Sequence, residues 1–190
     1  YGLRTGATLS KVTVTGGDEG GILLMGGESP LISNCTISGN EGWSAGGLYC
    51  RGGASPRLEH CTITDNSSSR GGGGISCDMG SPVLVDCLIT GNSSGPGGSP
   101  AAVGCYNGSC PELINCTISD NFQRGIMCWE NSSPVLENCT ISENGSSGVA
   151  CEWNSFPVLT DCIICSNDSE GLLCGSGSSP MLENCTISEN

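Results

Sequence analysis

Residues Ser133 to Ser155 read SPVLENCTISENGSSGVACEWNS; they are followed by FPVLTDCIICSNDSEGLLCGSGS and then by SPMLENCTISEN. A chain that rewrites one 23-residue unit, with cysteine at two fixed places, folds as stacked equivalent units or not at all. The copies align on Pro30, Pro56, Pro82, Pro111, Pro134, Pro157 and Pro180, at steps of 26, 26, 29, 23, 23 and 23. Five residues after each proline stands Cys35, Cys61, Cys87, Cys116, Cys139, Cys162 or Cys185. A second series comprises Cys50, Cys77, Cys105, Cys128, Cys151 and Cys174. The second series precedes the next first-series cysteine by 10 or 11 residues throughout, so all length variation falls in one loop per copy. Residues 1–28 form a degenerate first coil, with Val12 and Leu24 at the two cysteine positions, and residues 29–190 form the cysteine-containing coils.

Each copy holds three short segments of period two. The first is Gly125-Ile126-Met127-Cys128, the second Pro134-Val135-Leu136, the third Cys139 to Ser142. Alternation sends Ile126, Cys128, Leu136, Cys139 and Ile141 inward, and Met127, Val135, Thr140 and Ser142 outward. Recurrent Gly, Pro, Asn and β-branched residues exclude helix. The fold predicted is all-β: a right-handed parallel β-helix, three strands per coil, in about eight coils of 23–29 residues. At ~4.8 Å per coil this makes a rod of roughly 35–40 Å. The corner between second and third strands carries Asn34, His60, Asp86, Asn115, Asn138, Asp161 and Asn184, residue types suited to left-handed backbone and predicted to stack as a ladder. A second column, Asn40, Asn66, Asn92, Asn121, Asn144, Asn167 and Asn190, follows the third strand.

These motifs resemble two groups of proteins. The coil and its ladder look like the pectate-lyase-like right-handed β-helix. The elements Gly46-Gly47-Leu48 and Gly73-Gly74-Ile75, with Ile37-x-x-Asn40, Ile63-x-x-Asn66 and Ile141-x-x-Asn144, are similar to the polymorphic outer-membrane-protein type repeats of bacterial surface proteins, with Ile in place of Phe. The second resemblance implies a surface passenger, adhesin or coat.

Composition narrows the partners. Six Lys and Arg against 19 Asp and Glu leave a net charge of −13, which excludes nucleic acid and disfavours an anionic membrane. No apolar run approaches ~18 residues, so membrane insertion is not expected. Fifteen cysteines suit an oxidising, extracellular location. The chain runs from Tyr1 to Asn190, mid-repeat, and is read as a segment of something longer with uncapped ends. Uncapped strands invite end-to-end stacking of copies into a filament.

No column stacks two acids beside an Arg, and the acids scatter over the sequence, so catalysis, cofactors and metals are not expected. The function expected is an extracellular structural β-solenoid, part of an adhesin, coat or filament, with itself as partner. The alternative is a carbohydrate-binding or carbohydrate-active β-helix. It would meet surface glycans through the enlarged loops 39–47, 65–73 and 91–102, near Trp43, Tyr49 and Arg70. A third reading is ice binding through the outer Thr-x-Ser/Thr face of the third strands, interrupted at Leu88, Ile163 and Cys165.

Three sets of surface and core residues complete the expectations. The degenerate coil replaces both cysteine columns together, which suggests disulfides Cys35–Cys50, Cys61–Cys77, Cys87–Cys105, Cys116–Cys128, Cys139–Cys151 and Cys162–Cys174. The more constant spacing favours instead Cys50–Cys61 and onward. Of ten Asn-x-Ser/Thr sequons, Asn66, Asn92, Asn107, Asn131, Asn144 and Asn167 are the candidates for glycosylation, because Asn34, Asn115, Asn138 and Asn184 belong to the corner ladder. Tyr49, Tyr106, Met127, Trp129, Trp153 and Leu173 are expected to form an exposed apolar stripe for lateral contact.

Overall fold

The computed structural model describes residues 4–97 and 100–190. Three long sheets, all parallel, run along the axis. The second-strand sheet has eight strands, from Thr8–Ser10 to Met181–Glu183, and the third-strand sheet has eight, from Thr13–Thr15 to Thr186–Ser188. The first-strand sheet has seven, from Ile22–Met25 to Leu172–Cys174, so the coil makes about seven turns, close to the eight expected. Among the described residues there is no helix. A fourth sheet, absent from the sequence reading, joins Glu41–Gly42, Ser67–Ser68 and Ser93–Ser94 inside the three enlarged loops.

Pairing is in register by residue type, which is what lets one pattern serve every coil. Leu136 pairs with Leu113 and Leu159, and Ile141 with Ile118 and Ile164. Cys77 pairs with Cys50 and Cys105, and Leu24 takes the cysteine position in the first coil. These residues form one continuous core, with Ile126, Cys128, Leu136, Cys139 and Ile141 all buried as alternation requires. Met127 departs from the expectation: it points outward yet is only 1 % exposed.

The corner residues are left-handed: Asn34, His60, Asp86, Asn115, Asn138, Asp161 and Asn184 all have φ between 50° and 54°. Their side chains are exposed, linked by Asn138 Nδ2 to Asn115 Oδ1 at 2.9 Å and Asn115 Nδ2 to Asp86 Oδ1 at 3.1 Å. The column after the third strand is the buried one. Asn40, Asn66, Asn92, Asn121, Asn144 and Asn167 are at most 4 % exposed. From Asn66 on, each Oδ1 accepts from the backbone N–H and the amide of the coil before it, as Asn144 Oδ1 does from Asn121 at 3.3 and 2.9 Å, whereas Asn40 Oδ1 accepts from the Gly17 N–H. Each Nδ2 also donates to an aliphatic residue's carbonyl, Asn144 to Ile118 O at 3.1 Å and Asn40 to Val14 O at 3.0 Å.

Against this ladder lies a column of glycines. A Cβ on Gly148 would sit 2.7 Å from Ile164 Cγ2, 2.8 Å from Gly171 O and 2.9 Å from Asn167 Nδ2. These neighbours are backbone and packed side chain, with nowhere to retreat. Gly148→Val is therefore expected to cost about 3 kcal/mol through overpacking and a displaced amide. The check is a lower urea midpoint at unchanged slope; a midpoint equal to the parent's would contradict the packing described.

Candidate functional groove

The enlarged loops fold their short sheet against Gly72–Asp78 and Ala101–Tyr106 of the first-strand sheet. Beside them opens a cavity of about 290 Å³. The loops contribute Trp43, Ser44, Arg70 and Gly71, and the strands Tyr49, Ser76, Asp78 and Tyr106. Asn107, Trp129 and Glu130 come from just past the strand ends. A depression of about 260 Å³ shares Trp43, Ser44 and Tyr49 and adds Asp18 and Glu19. Another, of about 490 Å³, shares Asn107 and Glu130 and adds Trp153 and Asn154. Because they share walls, the three form one groove along the axis.

Its polar and aromatic groups hold one another in place. The Arg70 guanidinium lies 4.9 Å from the centre of the Trp43 ring, and that of Arg51 5.9 Å from Tyr49. Tyr49 donates its hydroxyl to Asp78 Oδ2 at 3.2 Å, and Asn107 Nδ2 donates to Asp78 Oδ1 at 2.7 Å. Burial, and then the charge of Asp78, push the Tyr49 phenol up. The Tyr106 ring folds over Gly104, where a Cβ would collide with its hydroxyl. Trp129 and Trp153 pack ring to ring at 5.7 Å and 44°.

The expected stripe is thus divided between two jobs. Met127 is a buried support, packed with Ala101 and Ala150 beneath Trp129 and Leu173. Tyr49, Tyr106 and Trp129 are half-buried groove walls, and Trp153 is 51 % exposed. Trp43, 64 % exposed, and Arg70 join them from the loops. Asp78 and Glu130 were not singled out from sequence. Their signal was available: Asp78 stands directly after the second-series cysteine, in register with Arg51 and Tyr106.

A family model described as the right handed beta helix region matches residues 2–105 and 95–190. The chain belongs to the right-handed β-helix family. No curated protein matches it. Among solved structures it is similar to the mannuronan C-5 epimerase A-module of Azotobacter vinelandii, at 14 % identity and a TM-score of 0.47, over 99 % of this chain and 81 % of that one. At this identity and score the likeness carries no activity, residue or substrate to the present chain. The expectation that catalysis is absent is corrected, because its physical basis fails. It rested on acids scattered along the sequence, whereas the β-helix brings Asp78, Glu130 and Arg70 to one cavity.

The sequons are placed differently by the β-helix than by the sequence reading. Asn66, Asn92, Asn144 and Asn167 are the buried ladder, their amides engaged. Asn107 and Asn131 are exposed at left-handed turns. Asn34, Asn115, Asn138 and Asn184, set aside from sequence, are exposed.

The fifteen cysteines of the β-helix stand as thiols, those of the two series in columns along the axis. In-register stacking makes each sulfur the neighbour of its own column. Neighbouring sulfurs influence one another's ionisation, Cys61 with Cys87, Cys87 with Cys116, Cys116 with Cys139, and Cys105 with both Cys77 and Cys128, and Cys151 Sγ donates to Cys174 Sγ at 3.4 Å. Sγ atoms also donate to carbonyls, Cys139 to Leu113 O at 3.4 Å. Cys110 is exposed and Cys165 half-buried, off the two columns. On the third-strand face the hydroxyl rows are broken where Leu88 and Ile163 stand exposed in register with threonines.

Proposed function

We propose that this protein is an extracellular carbohydrate-binding β-helix that takes an extended glycan along the groove of its first-strand side. The observation that carries the reading is the row of rings in one groove: Trp43 with Tyr49 toward one end, Tyr106 midway, and the Trp129–Trp153 pair at the other. Aromatic faces offer flat apolar platforms to the C–H faces of pyranose rings, while Asn107, Ser76 and Asp78 offer hydrogen-bond partners to hydroxyls. One coil rises about 4.8 Å, close to the length of one pyranose in an extended chain, so successive coils meet successive sugars. The stacked core supplies the rigid backing that a shallow groove needs.

Trp43→Ala and Trp129→Ala, tested on a glycan array and then by titration on the best ligand, are each expected to weaken binding about tenfold, the worth of one aromatic contact. Unchanged affinity in both would overturn the reading. Sedimentation of the same variants tests the rival use of the surface. Loss of self-association with glycan binding unaltered would assign the rings to lateral contact between copies.

A further inference from the structure

Resting on the glycan-binding reading, we infer that the groove selects amino-sugar polymers with free ammonium groups over neutral glycans, and rejects polyuronates. Four carboxylates line it: Asp18 and Glu19 at one end, Asp78 midway, Glu130 beyond. Two cations stand against them, Arg70 with its guanidinium on the Trp43 face and Arg51 with its own over Tyr49 and in register with Asp78. The groove is therefore net negative on a chain of net charge −13. A polyuronate laid along the axis would set a carboxylate beside each coil of this field, with little to neutralise it. An ammonium-bearing sugar in the same place meets a complementary charge. Asp78 is the best-placed partner. Tyr49 and Asn107 orient both its oxygens, yet each oxygen keeps a further lone pair to accept from an ammonium group. The rings on either side bind the pyranose faces whatever the charge, so affinity and charge selection come from separable groups.

The test uses the whole chain and three soluble oligosaccharides of equal length: glucosamine oligomers, N-acetylglucosamine oligomers and oligogalacturonate, titrated by tryptophan fluorescence at low and high salt. The glucosamine oligomer is expected to bind about tenfold tighter than its acetylated counterpart at low salt, the worth of one charge-assisted hydrogen bond, and to lose that margin at high salt. Oligogalacturonate is expected not to bind. Asp78→Asn and Glu130→Gln should erase the margin, the glucosamine oligomer falling to the affinity that its acetylated counterpart shows for the same variant. Glu112→Gln with Glu137→Gln, on the exposed second-strand face, should leave the margin unchanged. Equal affinity for the two amino-sugar series, or binding of oligogalacturonate, overturns the charge selection and leaves the glycan reading standing. An equal loss of margin in the Glu112/Glu137 variant also overturns it, because that is diffuse attraction to an acidic rod. Binding of none of the three, together with a blank glycan array, overturns both.

Discussion

Moved from pH 8 to pH 10 under reducing conditions, the protein is expected to lose at least roughly 6 kcal/mol of folding stability, about 2 for each of Cys87, Cys116 and Cys139, with Cys50, Cys61, Cys77, Cys128 and Cys151 pushed up as well. Cys87, Cys116 and Cys139 are each pushed up to about 12. For Cys87 and Cys116 the first cause is donation to the next sulfur along the column, with burial adding to it. For Cys139 the bond accepted from Cys116 pulls down, and donation to Cys162 and burial outweigh it. An unfolded thiol ionises near 8.5. Below that pH both states hold the proton and stability is flat. Above it the unfolded chain has released protons that the folded chain retains, so stability falls until the folded thiols also ionise near 12. The loss is comparable to the whole stability of many domains. Urea midpoints at pH 8, 9 and 10 check it. Replacing Cys87, Cys116 and Cys139 by valine, the residue already present at Val12 in the same column, should remove about 6 kcal/mol of the dependence and leave the share of Cys151 and the other raised thiols. A parent protein whose midpoint holds from pH 8 to 10 would contradict the buried thiol columns.

Asn121→Ala should cost about 3 kcal/mol or more, although it removes no apolar surface from the core. The Asn121 Oδ1 accepts from the Asn92 backbone N–H at 3.0 Å and from Asn92 Nδ2 at 3.1 Å, and its Nδ2 donates to Ile89 O at 3.1 Å and to Asn144 Oδ1 at 2.9 Å. Truncation strands buried donors above and acceptors below, each costing about 1–3 kcal/mol. Asn121→Asp should fail as well, because a carboxylate cannot donate to Ile89. By contrast Asn115→Asp should cost only about 1 kcal/mol: it gives up the bond to Asp86 Oδ1 and sets two carboxylates side by side, but at an exposed corner where water screens them. Chemical denaturation of the three variants decides it; equal costs at 121 and 115 would mean the two columns are interchangeable.

That contrast also marks where the sequence was legible and where it was misread. Period two, the proline spacing and the cysteine columns dictate coil, strand order and inward set, and the corner residues have the left-handed backbone their types suggest. The sequence reading assigned committed amides to the corner and left the other column as loop, the reverse of what is found. The discriminating signal was substitution within the chain itself. The corner accepts Asn, His and Asp, because it needs only a left-handed residue facing water. The other column is Asn in all seven copies, because a ladder rung must donate and accept at once. The groove was harder to see. Trp43, Tyr49 and Arg70 stood out as loop and strand neighbours, but Asp78 and Glu130 lie 52 residues apart and meet only through the stacking of coils of unequal length. The outward Met127 looked exposed because nothing local reveals that Trp129 closes over it.

In-register pairing has a consequence for how such a molecule changes size. In the core of the second and third strands each coil sets Leu or Ile on Leu or Ile of the next, so there a coil is an interchangeable link. Excising residues 157–179 would bring Pro180 to the place of Pro157, Asn190 to that of Asn167 and Leu182 to that of Leu159. None of the excised residues lines the groove, which spans Asp18 to Asn154. The groove already reaches into two of the uniform 23-residue coils, through Trp129 and Trp153, so those cannot be exchanged; the coil that begins at Pro157 can. Duplication or loss of that link would change the length of the rod while every residue that lines the groove stays where it was.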